Sequence, residues 1–166
     1  MFASTAGTAT IRADVPRFVT AFAHRIEAGL LTGQPHPRSH YAVIRTGSDR
    51  LAFRAADWQT AISVGLNEVD LSFPGRGSVA YQVRFPRWAR YVVGLGGVLG
   101  LVLAGFLLVA RGSVVRDAGP GNLSANAQAA IAWSMVLFWG FVWPWILIAL
   151  HRRTLRALMH RLIAEV

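Results

Sequence analysis

Residues Tyr91–Ala110 of this chain read YVVGLGGVLGLVLAGFLLVA, a run of 20 residues without a charged side chain. As a helix rising about 1.5 Å per residue, the run would be about 30 Å long, the hydrocarbon thickness of a bilayer. A second uncharged run covers Ala129–Leu150, AAIAWSMVLFWGFVWPWILIAL. The chain of 166 residues is only 15% charged, against about 25% in ordinary soluble domains. We therefore predict a transmembrane hairpin over 88–150, with spans at about 91–110 and 129–150 and an external loop at 111–128.

The arginines predict the orientation of this hairpin. Seven of them flank the outer ends of the two spans, whereas the connecting segment contains only Arg111 and Arg116. Because positively charged loops stay in the cytoplasm, we expect both termini to be cytoplasmic. All cationic side chains are Arg, which is typical of GC-rich bacterial genomes, so the expected location is a bacterial inner membrane. The predicted membrane-surface residues, which would contact anionic lipid, are Arg84, Arg87, Trp88, Arg90, Arg152, Arg153, Arg156 and Arg161.

Residues 1–87 are predicted to form a cytoplasmic α+β domain. Apolar residues recur at helical spacing over Val15–Leu31, with Asp14 placed to cap the helix and Pro16 in its first turn. Ile62–Val64 is either a short strand or a helical turn. We expect one helix to cover one face of an antiparallel sheet of four or five strands. The predicted strands are Thr8–Ala13, Tyr41–Arg45, Arg50–Ala55, Val69–Phe73 and Ser78–Phe85.

The last 16 residues, 151–166, read HRRTLRALMHRLIAEV and are predicted to form a basic amphipathic helix in the cytoplasm. Leu155, Leu158, Met159 and Leu162 fall on its apolar side, and the arginines fall on the other. Such a helix can lie on the membrane surface, or dock on the cytoplasmic domain or on a partner.

Residues suited to catalysis or metal binding are few. His36 and His40 have the spacing of a helical ligand pair, but Pro35 and Pro37 exclude a helix there, which favours a solvated loop. Glu68 and Asp70 share one face of a predicted strand, where a solvent-facing edge explains them as well. The chain contains neither Cys nor Lys, which excludes thiolate sites and phosphate loops that use Lys. We expect no catalytic residue, no metal site and no enzyme; an enzyme would require these His and acidic residues to converge on a cavity.

The two spans carry different surface patterns. Gly96, Gly100 and Ala104 recur every four residues in the first, so they predict close packing on another helix, either in this chain or in another subunit. The second is rich in aromatic residues, with Phe138, Phe141 and Trp145 spaced for one face and Trp139 and Trp143 for another. These five are candidates for contact with lipid, carotenoid, chlorophyll or quinone, although no motif predicts a bound cofactor. Pro144 predicts a kink.

These features favour a non-catalytic accessory or scaffolding subunit that packs against a larger membrane complex. Photosynthetic and respiratory complexes are the energy-transducing examples that would use an aromatic helix. The expected partners are other membrane subunits and anionic lipid, and no nucleic acid, because topology explains the arginines. The alternative is a membrane-tethered sensor or ligand-binding domain, which would need a pocket between helix 15–31 and the sheet.

Overall fold

The computed structural model describes residues 3–28, 40–45, 50–75, 77–109 and 124–166. His36 and most of the predicted external loop lie outside these residues. The strands are β1 (Ser4–Thr10), β2 (Tyr41–Arg45), β3 (Arg50–Ala55), β4 (Glu68–Gly75) and β5 (Ser78–Arg84). The helices are α1 (Val15–Glu27), α2 (Trp58–Ser63), α3 (Pro86–Val109), α4 (Ala125–Leu137) and α5 (Trp143–Ala164), and a π-helical turn, Phe138–Val142, joins α4 to α5.

The chain divides into two compact units. One contains residues 1–89 and 150–166 and is called the sheet unit below; the other contains residues 90–149 and is called the helix-pair unit. The end of α5 therefore belongs to the same unit as the strands. α5 continues through Leu150 without a break, so the predicted C-terminal helix is the second half of a longer helix.

The sheet unit contains a five-stranded antiparallel sheet in the order β1-β5-β4-β3-β2. Side chains alternate between its two faces, as in any strand. Val69, Leu71, Val83 and Phe85 are buried on one side, which we call the covered face. Glu68, Asp70, Gln82 and Arg84 point to the other side, which we call the open face, and are exposed. This confirms an antiparallel sheet combined with helices.

Two helices, rather than the predicted one, lie on the covered face. α1 contributes Phe18 and Phe22, whose rings pack against Phe73 and Phe53 of the sheet at centroid distances of 5.9 and 6.2 Å. α5 contributes His160, whose ring lies edge-on to Tyr81 of β5 at 5.7 Å. The apolar side of α5 is fully buried at Leu155, Met159, Leu162 and Ile163. The C-terminal segment is therefore part of the core of the sheet unit.

Three predicted elements differ in their positions. β1 begins at Ser4 and ends at Thr10, before the predicted end at Ala13, because its register is set by pairing with Val79–Val83 rather than by any alternation of its own. The uncertain stretch around Ile62 is helix α2, whose first turn is capped by the Asp57 carboxylate accepting from the Thr60 N–H at 2.6 Å. α1 ends at Glu27, about one turn before the predicted end.

Two helical stretches, Pro86–Val109 and Asn126–Ala164, are long and apolar enough to cross a membrane. Only 17% and 22% of their most apolar windows are buried. A core helix of a soluble protein is instead buried over most of its length. Large apolar side chains such as Leu101, Val102, Phe106 and Leu108 are left exposed along α3.

Candidate functional site

Within the helix-pair unit, two glycines of α3 face the second helix. A Cβ atom added to Gly100 would lie 2.9 Å from Gly140 Cα, and one added to Gly96 would collide with Cγ of Pro144. Gly94, Gly97 and Gly105 have no neighbour within 4 Å of such an atom. The small-residue stripe at Gly96 and Gly100 therefore packs against this chain's own second helix. Ala104, the third predicted member, is half-exposed.

The π-helical turn lies at this helix contact. Pro144 has no N–H, so it cannot donate to the carbonyl of Gly140 four residues earlier, and its ring would crowd that carbonyl in a regular helix. The π-helical turn over Phe138–Val142 accommodates the missing hydrogen bond and the proline ring. Gly140, in the centre of this turn, is buried against Gly100. Here the predicted kink takes the form of a π-helical turn.

The π-helical turn also brings three aromatic rings together. The Trp139 and Trp143 rings are 5.3 Å apart, and Phe138 contacts both, at 5.6 and 6.1 Å. Sequence spacing had assigned Phe138 to another face, but one turn of π-helix aligns residues five apart. We call these three residues the aromatic cluster. Phe141 and Trp145 are 60% and 51% exposed.

In the sheet unit, Asn67 connects three segments of the chain. It is 4% exposed, and its Nδ2 donates to the Ala61 carbonyl at 2.8 Å. Its Oδ1 accepts from the backbone N–H of Arg87 at 2.6 Å and of Trp88 at 3.4 Å. α3 begins at Pro86 after an apolar residue that has no capping side chain, so Asn67 supplies the acceptor for the first N–H groups of that helix.

His151 lies beside this cap. Its ring stacks on Trp88, with centroids 3.8 Å apart and planes inclined by 12°, and meets Phe85 edge-on at 5.2 Å. Its Nε2 lies 3.5 Å from the Gly65 carbonyl oxygen. Gly65 has φ +78°, and a side chain there would collide with the imidazole. Burial lowers the pKa of His151, and the contact with Gly65 opposes this shift only in part.

The open face of the sheet forms a shallow groove of about 960 Å³. Its floor is made of small residues, Ala6, Ala52, Ser72 and Ala80, so no large side chain fills the space above the strands. Register places Arg50, Asp70, Gln82 and Arg84 around this floor. The predicted pocket between α1 and the sheet is instead filled by aromatic side chains of the core.

Glu68, Asp70 and His40, which the sequence singles out as candidate catalytic or metal-binding residues, have partners within the protein. Arg84 lies 3.8 Å from both Glu68 and Asp70, so this carboxylate pair forms an ion-pair network on the open face. His40 Nδ1 lies 3.6 Å from the Asp57 carboxylate, which also caps α2. The hydrogen bond from the Thr60 N–H is the main cause of the lowered pKa of Asp57. Among the described residues, no three His, Cys, Asp or Glu side chains are grouped as a metal site.

Several of the predicted membrane-surface residues contact other parts of the sheet unit. Trp88 stacks on His151, and Arg84 bridges two carboxylates. Arg156 donates from Nε to the Thr5 hydroxyl at 2.6 Å. Arg161 and Arg25 both pair with Glu165, and their hydrogen bonds lower the pKa of that carboxyl. Two of the others, Arg87 and Arg153, have no ion pair with an Asp or Glu of the described residues.

Sequence reasoning missed the connecting roles of Asn67 and His151 and the contact between Arg156 and Thr5. Each role depends on a contact between residues 20 or more positions apart in the sequence, and no local spacing signals such a contact. Comparison of the chain with protein-family models, curated proteins and solved structures finds no match. The function is therefore argued from the site alone.

Proposed function

We propose that the protein is a non-catalytic accessory subunit of a larger membrane complex in a bacterial inner membrane, and that it docks through the aromatic cluster. The single observation that carries this proposal is that Phe138, Trp139 and Trp143 pack on one another yet leave 39% of Phe138 and 38% of Trp139 exposed. Gly96, Gly100 and Gly140 already pack against one another within the chain, whereas the aromatic cluster is partly exposed to a neighbour.

Aromatic rings suit this role for a physical reason. Lipid tails are as apolar as aliphatic side chains, so apolar contact alone gives little preference for a protein neighbour over lipid. Rigid rings add offset and edge-to-face contacts of about 0.5–1.5 kcal/mol per pair, and these depend on geometry. The same surface suits flat or polyene ligands such as a quinone, carotenoid or chlorophyll held by the neighbouring subunit.

The decisive experiment is purification in mild detergent from the native membrane, with the mass and pigment content of the particle recorded. We expect the chain to purify as part of a large particle of fixed stoichiometry. Replacing all three residues of the aromatic cluster by leucine (F138L, W139L, W143L) should release the chain from this particle, because leucine keeps the apolar surface but not the rings. Phe106→Leu, which changes an exposed aromatic residue of α3, is the matched control and should leave the particle intact. A lone monomer of the wild type would refute the proposal.

Orientation is tested separately by labelling single cysteines, since the chain has none of its own. In the proposed topology Ser124→Cys lies outside the cytoplasm and Ser63→Cys inside it. A membrane-impermeant maleimide should label position 124 in intact cells and position 63 only after permeabilisation. The opposite pattern would invert the topology.

A second candidate function, a membrane-tethered ligand-binding domain, is favoured by the groove on the open face. Its small-residue floor suits a flat ligand, and the Arg50 side chain at its rim suits an anionic group on that ligand. In that case Ala80→Leu, which fills the floor, would abolish ligand binding and leave the membrane particle unchanged.

A further inference from the structure

β1 is an edge strand whose outer side is unoccupied in the described part of the chain. Its odd-numbered residues bond to β5, as the hydrogen bonds at both ends of the strand show: Phe85 N–H to Ala3 O and Ile11 N–H to Gly77 O, at 2.9 and 3.0 Å. In an antiparallel ladder the alternate residues point both backbone groups the other way. Ala6, Thr8 and Thr10 therefore present N–H and C=O groups outwards from the sheet, and all three are exposed.

This edge has none of the features that usually prevent strand addition. Natural edge strands carry charged residues, proline or a bulge. β1 reads STAGTAT, with no charge and no proline, and its pairing with β5 is regular over all seven residues. The side chains of β1 are small, so they leave room for an incoming strand.

Two polar groups on the covered face lie at this edge and are suited to an acidic ligand. The Arg156 guanidinium is held against Thr5 by the bond from Nε, and no Asp or Glu of the described residues pairs with it. The Tyr81 hydroxyl lies directly over Gly7, so close that a Cβ atom there would collide with it. Tyr81 is 2% exposed, and its hydroxyl has no hydrogen-bond partner among the described residues.

We infer that β1 is a docking site for an extended acidic segment of a partner protein, which adds to the sheet as a sixth strand. The backbone groups of Ala6, Thr8 and Thr10 would pair with the incoming strand. A carboxylate opposite Thr5 or Gly7 would accept hydrogen bonds from Arg156 and from the Tyr81 hydroxyl, since facing side chains in a sheet are about 5 Å apart. A second copy of this chain fits less well, because its own β1 carries no Asp or Glu that could accept from Arg156.

The test uses the full-length protein in nanodiscs of phosphatidylcholine, which carries no net charge to compete for arginine. A phage-displayed library of random decapeptides is selected on these nanodiscs, with empty nanodiscs for counter-selection. We expect enriched peptides to alternate β-branched residues and to share an Asp or Glu at one register position. Binding of a synthetic enriched peptide should protect the Thr8 amide from hydrogen exchange.

Variants then separate backbone pairing from charge recognition. Thr8→Pro removes an outward N–H without breaking the bonds to β5 and should abolish binding, whereas Thr8→Ala should bind like the wild type. Arg156→Gln should weaken binding by about tenfold or more, as expected for a lost charge-assisted bond. Tyr81→Phe should weaken it by several fold. The retained fold of each variant is checked by hydrogen exchange of β4.

Three results would overturn the inference. The first is no enrichment of peptides above empty nanodiscs, and the second is enrichment of peptides without an acidic residue. The third is that a selected peptide binds Thr8→Pro as tightly as the wild type. A wild-type dimer that Thr8→Pro dissociates would instead identify a second copy as the occupant. The inference concerns the sheet unit alone, so the leucine variant of the aromatic cluster should keep peptide binding. Failure here and failure of the proposed subunit role are therefore distinguishable.

Discussion

At the scale of single residues, Asn67 has the largest expected effect on stability. Replacement by Ala leaves the Ala61 carbonyl and the Arg87 N–H without their partner in a buried place. We expect Asn67→Ala to lower the free energy of unfolding of the sheet unit by about 2–4 kcal/mol. Asn67→Asp keeps the acceptor for α3, but its second oxygen faces the Ala61 carbonyl oxygen and its charge is buried, so it should also destabilise the unit. Native-state hydrogen exchange of β5 amides measures both, and equal stability of wild type and Ala variant would contradict the role.

His151 should make the stability of the sheet unit depend on pH. Burial against Trp88 and Phe85 lowers its pKa in the folded state below the unfolded value of about 6.5. The unfolded chain therefore binds the proton more readily, and stability must fall as pH drops from about 7.5 through 6.5 towards the folded pKa. Above that window the neutral imidazole is present in both states and the effect vanishes.

The matched variant for this pH effect is His151→Gln, which cannot titrate. It should be less stable than the wild type at pH of about 8, because the stack on Trp88 is lost, but its stability should no longer change over that window. Urea unfolding at a series of pH values measures both quantities. A pH dependence that persists in the Gln variant would assign it to another group.

At the scale of elements, the helix pair depends on two glycines and not on the other glycines of α3. Gly100→Ala forces a Cβ atom to within 2.9 Å of Gly140 Cα, a backbone atom that cannot rotate away. We expect this overpacking to destabilise the pair by about 1–3 kcal/mol. Gly97→Ala has open space, so it should be neutral or slightly stabilising through its higher helix propensity. Unfolding in mixed detergent micelles with increasing dodecyl sulfate compares the two, and equal stability would refute the contact.

The elements also show which parts of the fold the sequence alone can predict. β4 and β5 alternate apolar and polar residues around a turn in which Gly77 has φ +74°, and they lie within two residues of the predicted positions. β1 contains only Ser, Thr, Ala and Gly, so its position is set by β5 and could not be predicted locally. The π-helical turn arises where Pro144 lacks an N–H for the Gly140 carbonyl and its ring crowds that carbonyl. Its effect on the aromatic cluster could not be read from a regular helical period.

At the scale of the whole molecule, the sheet unit is assembled from both ends of the chain. α5 places Leu155, Met159 and Leu162 in its core, and Arg25 of α1 pairs with Glu165 near the C-terminus. The core is therefore completed only when residues 155–162 have been synthesised, after the first apolar stretch and most of the second. The sequence of the same 16 residues fits a membrane-surface helix and a helix docked on the domain or on a partner equally well, because amphipathicity indicates that one side is covered but does not say by what.

This dependence on the C-terminus predicts that the first 89 residues alone will not form a stable sheet unit. The fragment would expose the apolar side chains that α5 covers, so we expect it to aggregate or to bind hydrophobic dyes.

In the full chain, Met159→Ala should lower the free energy of unfolding by about 2–5 kcal/mol, because Met159 is 0% exposed and its removal leaves a cavity. Arg153→Ala, at an exposed position of the same helix, should change stability by less than about 0.5 kcal/mol. Hydrogen exchange of Leu71 and Val83 reports the difference. A well-protected sheet in the fragment, or equal protection in the two variants, would mean that the C-terminal helix rests on an already complete domain.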